Sequence, residues 1–592
     1  MADVKMVKVT VNGKTVSVPS TATVLEAAKV AGVDIPRLCF LKGINENSSC
    51  RLCVVESDAF RGLKNSCTVT VQDGKSYNTN TPRVLRAVKT NLELIAGNHR
   101  FECWKCPREH NCELLRLLRK FNIENKIGED PIYSKKEEII NISDALVIDS
   151  SKCVLCGRCI AACEKLAGTG VLNYNFRGSK TYVGPALNFP VDKAGCIFCG
   201  KCIQACPVGA LKERDGIDQA QAYIDDKDVY AVAQIAPAVR AALGEEFGNK
   251  RGENVEGKIY AALNKLGFDD ITDVNFAADV TIMEEGTEFI GRLKKFLAGE
   301  EVVLPMFTSC SPGWIRYIEQ YYPDMLPHLS STKSPQQIQG ALIKHYYAKK
   351  LGLDPAKVKV VSIMPCSCKK AEANYPEMES NGLRDVDCVL TTRELARWIK
   401  RNEINFNALK DYKPESPMAK YTGAGVIFGA TGGVMEAALR TVKDILEKTD
   451  NKNVDITPLR GVKKDIKEAT MTIAGIKLTV AVVHGAANVP EMMKRIKKHP
   501  GKYAFVEFMG CTGGCVNGGG QPIVPSYEAD EIDVRAIRAK ALYKIDANAP
   551  LRKSHENEQV QKLYKEFLGT PNSELAEELL HTTYKPVKVY EK

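Results

Sequence analysis

Eight cysteines between residues 153 and 206 fall into two copies of one spacing. The first copy, C-V-L-C-G-R-C-I-A-A-C, holds Cys153, Cys156, Cys159 and Cys163. The second, C-I-F-C-G-K-C-I-Q-A-C-P, holds Cys196, Cys199, Cys202 and Cys206. C-x2-C-x2-C-x3-C, closed by proline in its second copy, is the two-cluster 4Fe–4S run, in which the fourth cysteine of each copy serves the other cluster. The spacing therefore predicts one cluster on Cys153, Cys156, Cys159 and Cys206 and another on Cys163, Cys196, Cys199 and Cys202. A pair of zinc sites would favour two-plus-two spacing instead. A segment so built has to fold around inorganic cores.

The chain has 592 residues and 21 cysteines. Its N-terminus, M-A-D-V-K-M-V-K-V-T, alternates and is charged, with no apolar h-region and no twin arginine, and no run of 18 apolar residues occurs. The expectation is a cytoplasmic protein with no membrane span. Disulfides are rare in that compartment, so metal binding is the leading explanation of so many thiols. The net charge of +10 comes from 82 basic against 72 acidic residues. That excess is spread thinly, without basic–aromatic blocks, which argues against nucleic-acid binding.

Two further groups of ligand type precede the repeat. H-R-F-E-C-W-K-C-P-R-E-H-N-C supplies His99, Cys103, Cys106 and Cys112. An imidazole can bind iron in place of a thiolate, and a mononuclear His/Cys3 zinc site is the physical rival. Cys39, Cys50, Cys53 and Cys67 are spaced C-x10-C-x2-C-x13-C, which spacing alone reads only as a four-thiolate site, with zinc again a rival. Four such groups in a row fit an electron wire, a task that redox-inert zinc does not perform.

Local patterns place these groups. V-K-V-T-V-N-G-K-T-V-S-V alternates around Asn12-Gly13 and predicts a hairpin; Thr81-Pro82 predicts the start of a helix. After about residue 228, β-rich runs alternate with helical patterns, predicting an α/β fold with a largely parallel sheet. Four of these runs end in the loops A-P-A-V, T-S-C-S-P-G-W, P-C-S-C-K-K-A-E and M-G-C-T-G-G-C. Carboxyl ends of parallel strands are where such sheets bind ligands. Six cysteines lie beyond residue 300: Cys310, Cys366, Cys368, Cys388, Cys511 and Cys515. Cys388, in D-V-D-C-V-L-T, reads as a buried strand thiol, and the other five sit in those loops.

T-S-C-S-P-G-W, M-P-C-S-C-K-K-A-E and E-F-M-G-C-T-G-G-C-V-N-G-G-G resemble the three cofactor signatures of the iron-only (FeFe) hydrogenases, and T-I-M-E-E-G-T-E, K-S-P-Q-Q and I-F-G-A-T-G-G-V-M-E-A-A-L-R resemble other stretches of that family. The likeness extends through nearly the whole chain and is to the multi-cluster, NAD(P)-linked type. The first 120 residues resemble the N-terminal region of the large iron–sulfur subunit of respiratory complex I. That resemblance implies a 2Fe–2S cluster on Cys39, Cys50, Cys53 and Cys67 and a His-ligated 4Fe–4S cluster on His99, Cys103, Cys106 and Cys112.

The family's active centre, the H-cluster, is a 4Fe–4S cubane joined through a cysteine to a two-iron unit with carbonyl, cyanide and dithiolate ligands. The resemblance implies that Cys366 and Cys511 bind the cubane and that Cys515 binds it and bridges to the two-iron unit. Lys369 would bond a cyanide, and Met364 and Met509 would pack the irons. Ala236, Pro237, Pro335, Gln336, Phe428 and Gly429 would line the pocket, with Glu372 supporting the second signature. A proton relay maps onto Cys310, Glu285, Ser330, Glu288 and Arg292. Spacing alone adds that Glu285 and Glu288, three apart, share a helix face; without the resemblance they would read as two solvated glutamates. The family usually has two adjacent cysteines in the first signature, the second a cubane ligand. Here Ser311 stands in that ligand place, so three outcomes stay open: Ser311 or water completes the cubane, Cys310 shifts to become the ligand, or the cluster is damaged.

The expected architecture is multidomain, α+β and α/β. It comprises a 2Fe–2S ferredoxin-like domain (1–80), a complex-I-type His/Cys3 4Fe–4S domain (81–139), a two-cluster 4Fe–4S ferredoxin domain (140–227), an α/β H-cluster hydrogenase domain (228–537) and a helical, small-subunit-like C-terminal tail (538–592). One 2Fe–2S cluster, three relay 4Fe–4S clusters and the H-cluster are implied, with reversible oxidation of dihydrogen as the reaction. No G-x-G-x-x-G or P-loop phosphate cradle follows a strand. NAD(P) and flavin are therefore expected on a partner subunit, accompanied by a small 2Fe–2S subunit, with ferredoxin as a further carrier and electron bifurcation as a further property. The alternatives are a stand-alone ferredoxin-linked hydrogenase and an electron-transfer or redox-sensing homologue impaired at Ser311.

Overall fold

The computed structural model describes residues 5–123, 139–451, 454–462 and 465–591. The expected hairpin pairs Met6–Val11 with Lys14–Pro19, Val11 standing opposite Lys14. Asn12 and Gly13 take φ of 45° and 83°, the positive values a two-residue hairpin turn demands. Val7, Val9 and Val11 point inward while Lys8 faces solvent, so the period-two pattern sets the register. The hairpin belongs to a five-stranded sheet with Ser76–Asn78, Val54–Ser57 and Lys64–Asn65. Against it lies the helix Val24–Val30, started by a capping box between Thr23 and Glu26. The next helix, Pro82–Gly97, begins as Thr81-Pro82 predicts, with the Thr81 hydroxyl accepting from Val84 N–H.

The cysteine repeat folds as two short helices, Arg158–Lys165 and Lys201–Ala205, beside a three-stranded sheet. Gly157 and Gly200 each precede a helix with positive φ. A Cβ on Gly157 would stand 2.7 Å from the Asn47 amide nitrogen, so the glycine also lets the first domain dock. The buried Arg158 ties the regions together. It pairs with Glu113 at 2.9 and 3.1 Å and donates to the Phe40 carbonyl (3.2 Å) and the Ser526 hydroxyl (3.1 Å).

Beyond residue 228 the single parallel sheet expected from the sequence is two sheets. The first runs Asp270–Asp273, Tyr230–Ile235, Val358–Met364, Cys388–Thr391, all parallel. The second runs Met306–Phe307, Phe505–Met509, Ile476–His484, Ile466–Ile473; its first three strands are parallel and its last is antiparallel. Pairing partners are long-range, and strand pattern alone does not say which runs share a sheet. Each sheet contributes two of the four unusual loops, which brings the two sets of carboxyl ends face to face. The 24-residue helix Val274–Leu297 packs on both the helix Pro335–Leu342 and the helix Gly433–Glu447. Cys388 is buried in its strand. The C-terminal segment, helical at Val534–Asn548 and Glu574–Leu580, ends as an extended strap: Thr582 N–H donates to the Ser331 carbonyl, Val587 N–H to the Glu319 carbonyl and Tyr590 N–H to the Lys193 carbonyl.

Candidate active site

Between the facing strand ends lies a cavity with almost wholly apolar walls. Ala236 and Pro237 follow one strand, Cys310 and Ser311 another, Met364 and Cys366 a third, and Met509, Cys511 and Cys515 the fourth; Pro335, Gln336, Lys369 and Phe428 complete the wall. Val274, Ala278 and Pro312 also line it, and sequence reading singled out none of them. Gly429 does not line it. A Cβ there would stand 2.4 Å from Leu542, so this glycine serves the close packing behind Phe428.

Burial pushes the Cys515 thiol up to about 12 and raises Cys511, so both are neutral until a cation takes the proton's place. Cys366 goes the other way, to about 7, chiefly because the Cys368 thiol hydrogen-bonds to it. Three convergent thiols in an apolar cavity fit the donor set of an iron–sulfur cubane. Ser311 stands at the wall, its hydroxyl accepting from Gly510 N–H at 3.1 Å.

Lys369 is held by Glu372, with Nζ 3.0 and 2.8 Å from the two carboxylate oxygens, and leans toward the Cys310 carbonyl at 3.4 Å. Glu372 also accepts from Ser334 Oγ (3.0 Å), Gln336 Nε2 (3.1 Å) and Gln337 Nε2 (3.3 Å). One buried carboxylate thus orients the cation and a neighbouring wall residue together, and a fixed cation in an apolar cavity favours an anionic guest.

Behind Cys310 a line of polar groups leads outward along the helix Val274–Leu297. Glu285 is fully buried and neither carboxylate oxygen makes a well-formed hydrogen bond. Burial first, then the charge of Glu288, pushes its carboxyl up to about 8, with Ser309 N–H pulling weakly the other way. Burial and the Glu285 charge raise the Cys310 thiol as well. Farther out, Ser330 Oγ donates to Glu288 at 2.6 Å, and Arg292 pairs with Glu288 at 2.7 Å and donates to the Leu329 carbonyl at 2.9 Å. No direct hydrogen bond joins Glu285 to Glu288. The sequence assigned no chemistry to the C-terminal segment, yet Tyr584 hydroxyl donates to the Ser330 carbonyl at 3.1 Å and so covers this line.

Two smaller cavities hold the repeat cysteines. One is ringed by Cys153, Cys156, Cys159 and Cys206; the other by Cys163, Cys196, Cys199 and Cys202. Among the described residues no three His, Cys, Asp or Glu side chains converge on a point tightly enough for a single metal ion. The thiols instead surround spaces of the kind a cluster fills. In the first domain Cys53 and Cys67 stand 3.3 Å apart, and Cys39 is hydrogen-bonded to Cys50. His99 Nδ1 is 2.8 Å from the Lys152 carbonyl, so a metal would be bound through Nε2.

The groups also touch one another. Asn45, near Cys39, donates to the Cys39 and Cys156 carbonyls at 2.7 and 3.1 Å. A Cβ on Gly209 would meet Cys106 Sγ at 2.4 Å. Ser367, beside Cys366, donates to the Phe198 carbonyl at 2.6 Å, and the Gly519 backbone lies against Cys199 and Gly200.

Residues 229–519 match the family described as iron only hydrogenase large subunit, C-terminal domain, and residues 532–587 match iron hydrogenase small subunit. Residues 4–82 match a 2Fe-2S iron-sulfur cluster binding domain and 152–210 a 4Fe-4S dicluster domain. Iron hydrogenase 1 of Clostridium pasteurianum is 43% identical over 581 residues, covering 98% of this chain and 100% of that one. The chain belongs to the iron-only hydrogenases. The NADP-reducing hydrogenase subunit HndD of Solidesulfovibrio fructosivorans is likewise 43% identical, over 98% of this chain and 99% of its own. A variant of the apo [FeFe]-hydrogenase HydA1 from Chlamydomonas reinhardtii superposes with a TM-score of 0.56 at 38% identity, covering 64% of this chain and 100% of that one. This hydrogenase large subunit, an oxidoreductase, therefore carries 2Fe–2S and 4Fe–4S domains ahead of its hydrogenase domain, and the cavity lies in the latter. Among the described residues no helix is long and apolar enough to cross a membrane.

Proposed function

We propose that this hydrogenase interconverts dihydrogen with protons and electrons in the cavity and passes the electrons through four relay clusters to an NAD(P)- and flavin-binding partner. The relay would be one 2Fe–2S cluster on Cys39, Cys50, Cys53 and Cys67, one 4Fe–4S cluster on His99, Cys103, Cys106 and Cys112, and two more on the cysteines ringing the paired cavities. The H-cluster, held by Cys366, Cys511 and Cys515, supplies the iron chemistry that cleaves or forms dihydrogen. The chain's own residues do the rest. Met364, Met509 and Phe428 exclude water, Lys369 fixes an anionic ligand, and Cys310, Glu285, Ser330, Glu288 and Arg292 move protons outward. We assign the domains to 1–80, 81–139, 140–227, 228–537 and 538–592, with the C-terminal strap guarding the proton line.

The observation that carries this reading is the pair of contacts joining the Cys39 loop to Cys156 and the Phe198 loop to Ser367 beside Cys366, with the helices Arg158–Lys165 and Lys201–Ala205 packed on each other between them. Electron transfer needs such short packed steps, and the same file of contacts ends at the cavity. The partner reading draws on HndD, named an NADP-reducing subunit, and extends to ferredoxin as a second carrier in a bifurcating complex. Purification of the native complex tests it: bound flavin and hydrogen-dependent NAD(P) reduction are expected, whereas a flavin-free protein that reduces only ferredoxin identifies the stand-alone alternative. Ser311 at the cavity wall favours one second reading, a redox-sensing homologue without hydrogen turnover. Hydrogen evolution by the matured chain with an artificial donor decides against it, and its absence decides for it.

A further inference from the structure

The cavity offers the cubane three thiolates, on Cys366, Cys511 and Cys515, and a hydroxyl on Ser311. Clusters of this kind are held chiefly by thiolates, and an alcohol is a harder and far more basic donor. Ser311 is also engaged already, accepting from Gly510 N–H. Cys310, its neighbour, lies among Glu285, Glu507, Lys369 and Cys515, on the side of the cavity from which the proton line departs.

One more thiol is close. Cys368 follows Cys366 by two residues, is buried, and is hydrogen-bonded to the Cys366 thiol. Its sulfur packs on the first turn of the helix Pro312–Tyr321, whose N-terminal flank is Ser311: a Cβ on Gly313 would stand 3.0 Å from Cys368 Sγ. Cys511 and Cys199 are its other thiol neighbours. In this structure the sulfur does not line the cavity; it donates to the Ile197 carbonyl at 3.0 Å, a weak bond that it has to give up to turn toward the cubane. The chain thus lacks a thiol at 311 and carries one at 368, packed against the very turn that Ser311 begins.

We propose that Cys368 is the fourth thiolate of the cubane, taking the place that Ser311 does not fill. The proposal rests on the reading of this cavity as the seat of the cubane. When Cys368 binds, its S–H bond breaks, the proton leaves to solvent, and a sulfur lone pair forms the bond to iron; no electron is transferred. Cys310 then keeps its proton-carrying role, and the ligand loop Cys366–Cys368 stays beside Ile197, which lies between Cys196 and Cys199 of the neighbouring relay cluster.

The test uses the full-length matured chain, purified anaerobically, with three variants: Cys368→Ala, Cys310→Ala and the double variant Ser311→Cys/Cys368→Ala. The readouts are iron and sulfide content, the paramagnetic resonance of the reduced cubane, and infrared bands of carbonyl and cyanide. Cys368→Ala is expected to lose about four irons per chain, or to lose one and show a three-iron signal. The double variant is expected to regain both the iron and the cubane resonance, and Cys310→Ala to keep them. Full iron and an unchanged cubane resonance in Cys368→Ala overturn the proposal, as does a loss that the double variant does not repair. A parent chain with neither cubane resonance nor infrared bands means instead that the reading of the cavity itself is wrong.

Discussion

Glu285 offers the sharpest consequence of the geometry. Burial and the facing charge of Glu288 hold its carboxyl near 8, against 4.5 for an ordinary glutamate. At pH 7 about nine-tenths of the molecules carry the proton, and at pH 9 about one-tenth. Proton reduction needs that proton delivered inward, so its rate should fall about tenfold between pH 7 and pH 9, measured with an electron donor whose own potential does not change with pH. Glu285→Gln should remove the step and lower the rate at pH 7 by at least the 10²-fold typical of a lost proton-transfer group. Stability should respond as well. The folded chain holds this proton between pH 4.5 and 8 while the unfolded chain has released it. Folding therefore carries no penalty from Glu285 below about 4.5 and a growing one as pH rises to about 8, reaching roughly 5 kcal/mol. Glu285→Gln should match the parent's stability at pH 4 and exceed it at pH 9. A proton-reduction rate flat from pH 7 to 9, with no carboxylic infrared band assignable to Glu285 at pH 7, refutes this account of the proton line.

Other consequences follow from single contacts. Arg158→Met leaves Glu113 buried without its cation and should cost about 3–5 kcal/mol, seen as detachment of the N-terminal cluster domains in limited proteolysis. Glu372→Ala frees Lys369 and Gln336 together, and should reduce hydrogen turnover while shifting the cyanide bands of the matured centre. Ser330→Ala breaks the 2.6 Å bond to Glu288 and should slow proton delivery without changing iron content; iron loss in that variant would assign Ser330 a structural role instead.

How much of this was legible depended on range. The cysteine groups could be read because ligand spacing is local, and the Asn12-Gly13 hairpin because both its strands and its turn lie within 14 residues. The four cavity loops could be read as strand ends, but not their division between two sheets, since the partners of Val358–Met364 and Phe505–Met509 are remote in sequence. Spacing put Glu285 and Glu288 on one helix face, but only the packing around the helix buries the first and leaves the second reaching toward Arg292. Local spacing gives Cys368 no task, because what it touches, Ile197, lies 171 residues away. Tyr584 was missed for the same reason: nothing in a charged, helical tail announces a hydrogen bond to Ser330. Gly429 carried a resemblance to a pocket residue, yet its lack of a side chain is spent on contact with Leu542.

The central claim is that thiols from separate strand ends assemble a hydrogen-splitting iron centre in the cavity between the two sheets. An infrared spectrum of the full-length chain, matured and kept free of oxygen, tests it most directly. Sharp carbonyl and cyanide bands that shift under dihydrogen are predicted; a spectrum without them, from protein carrying its full iron and sulfide, would contradict it.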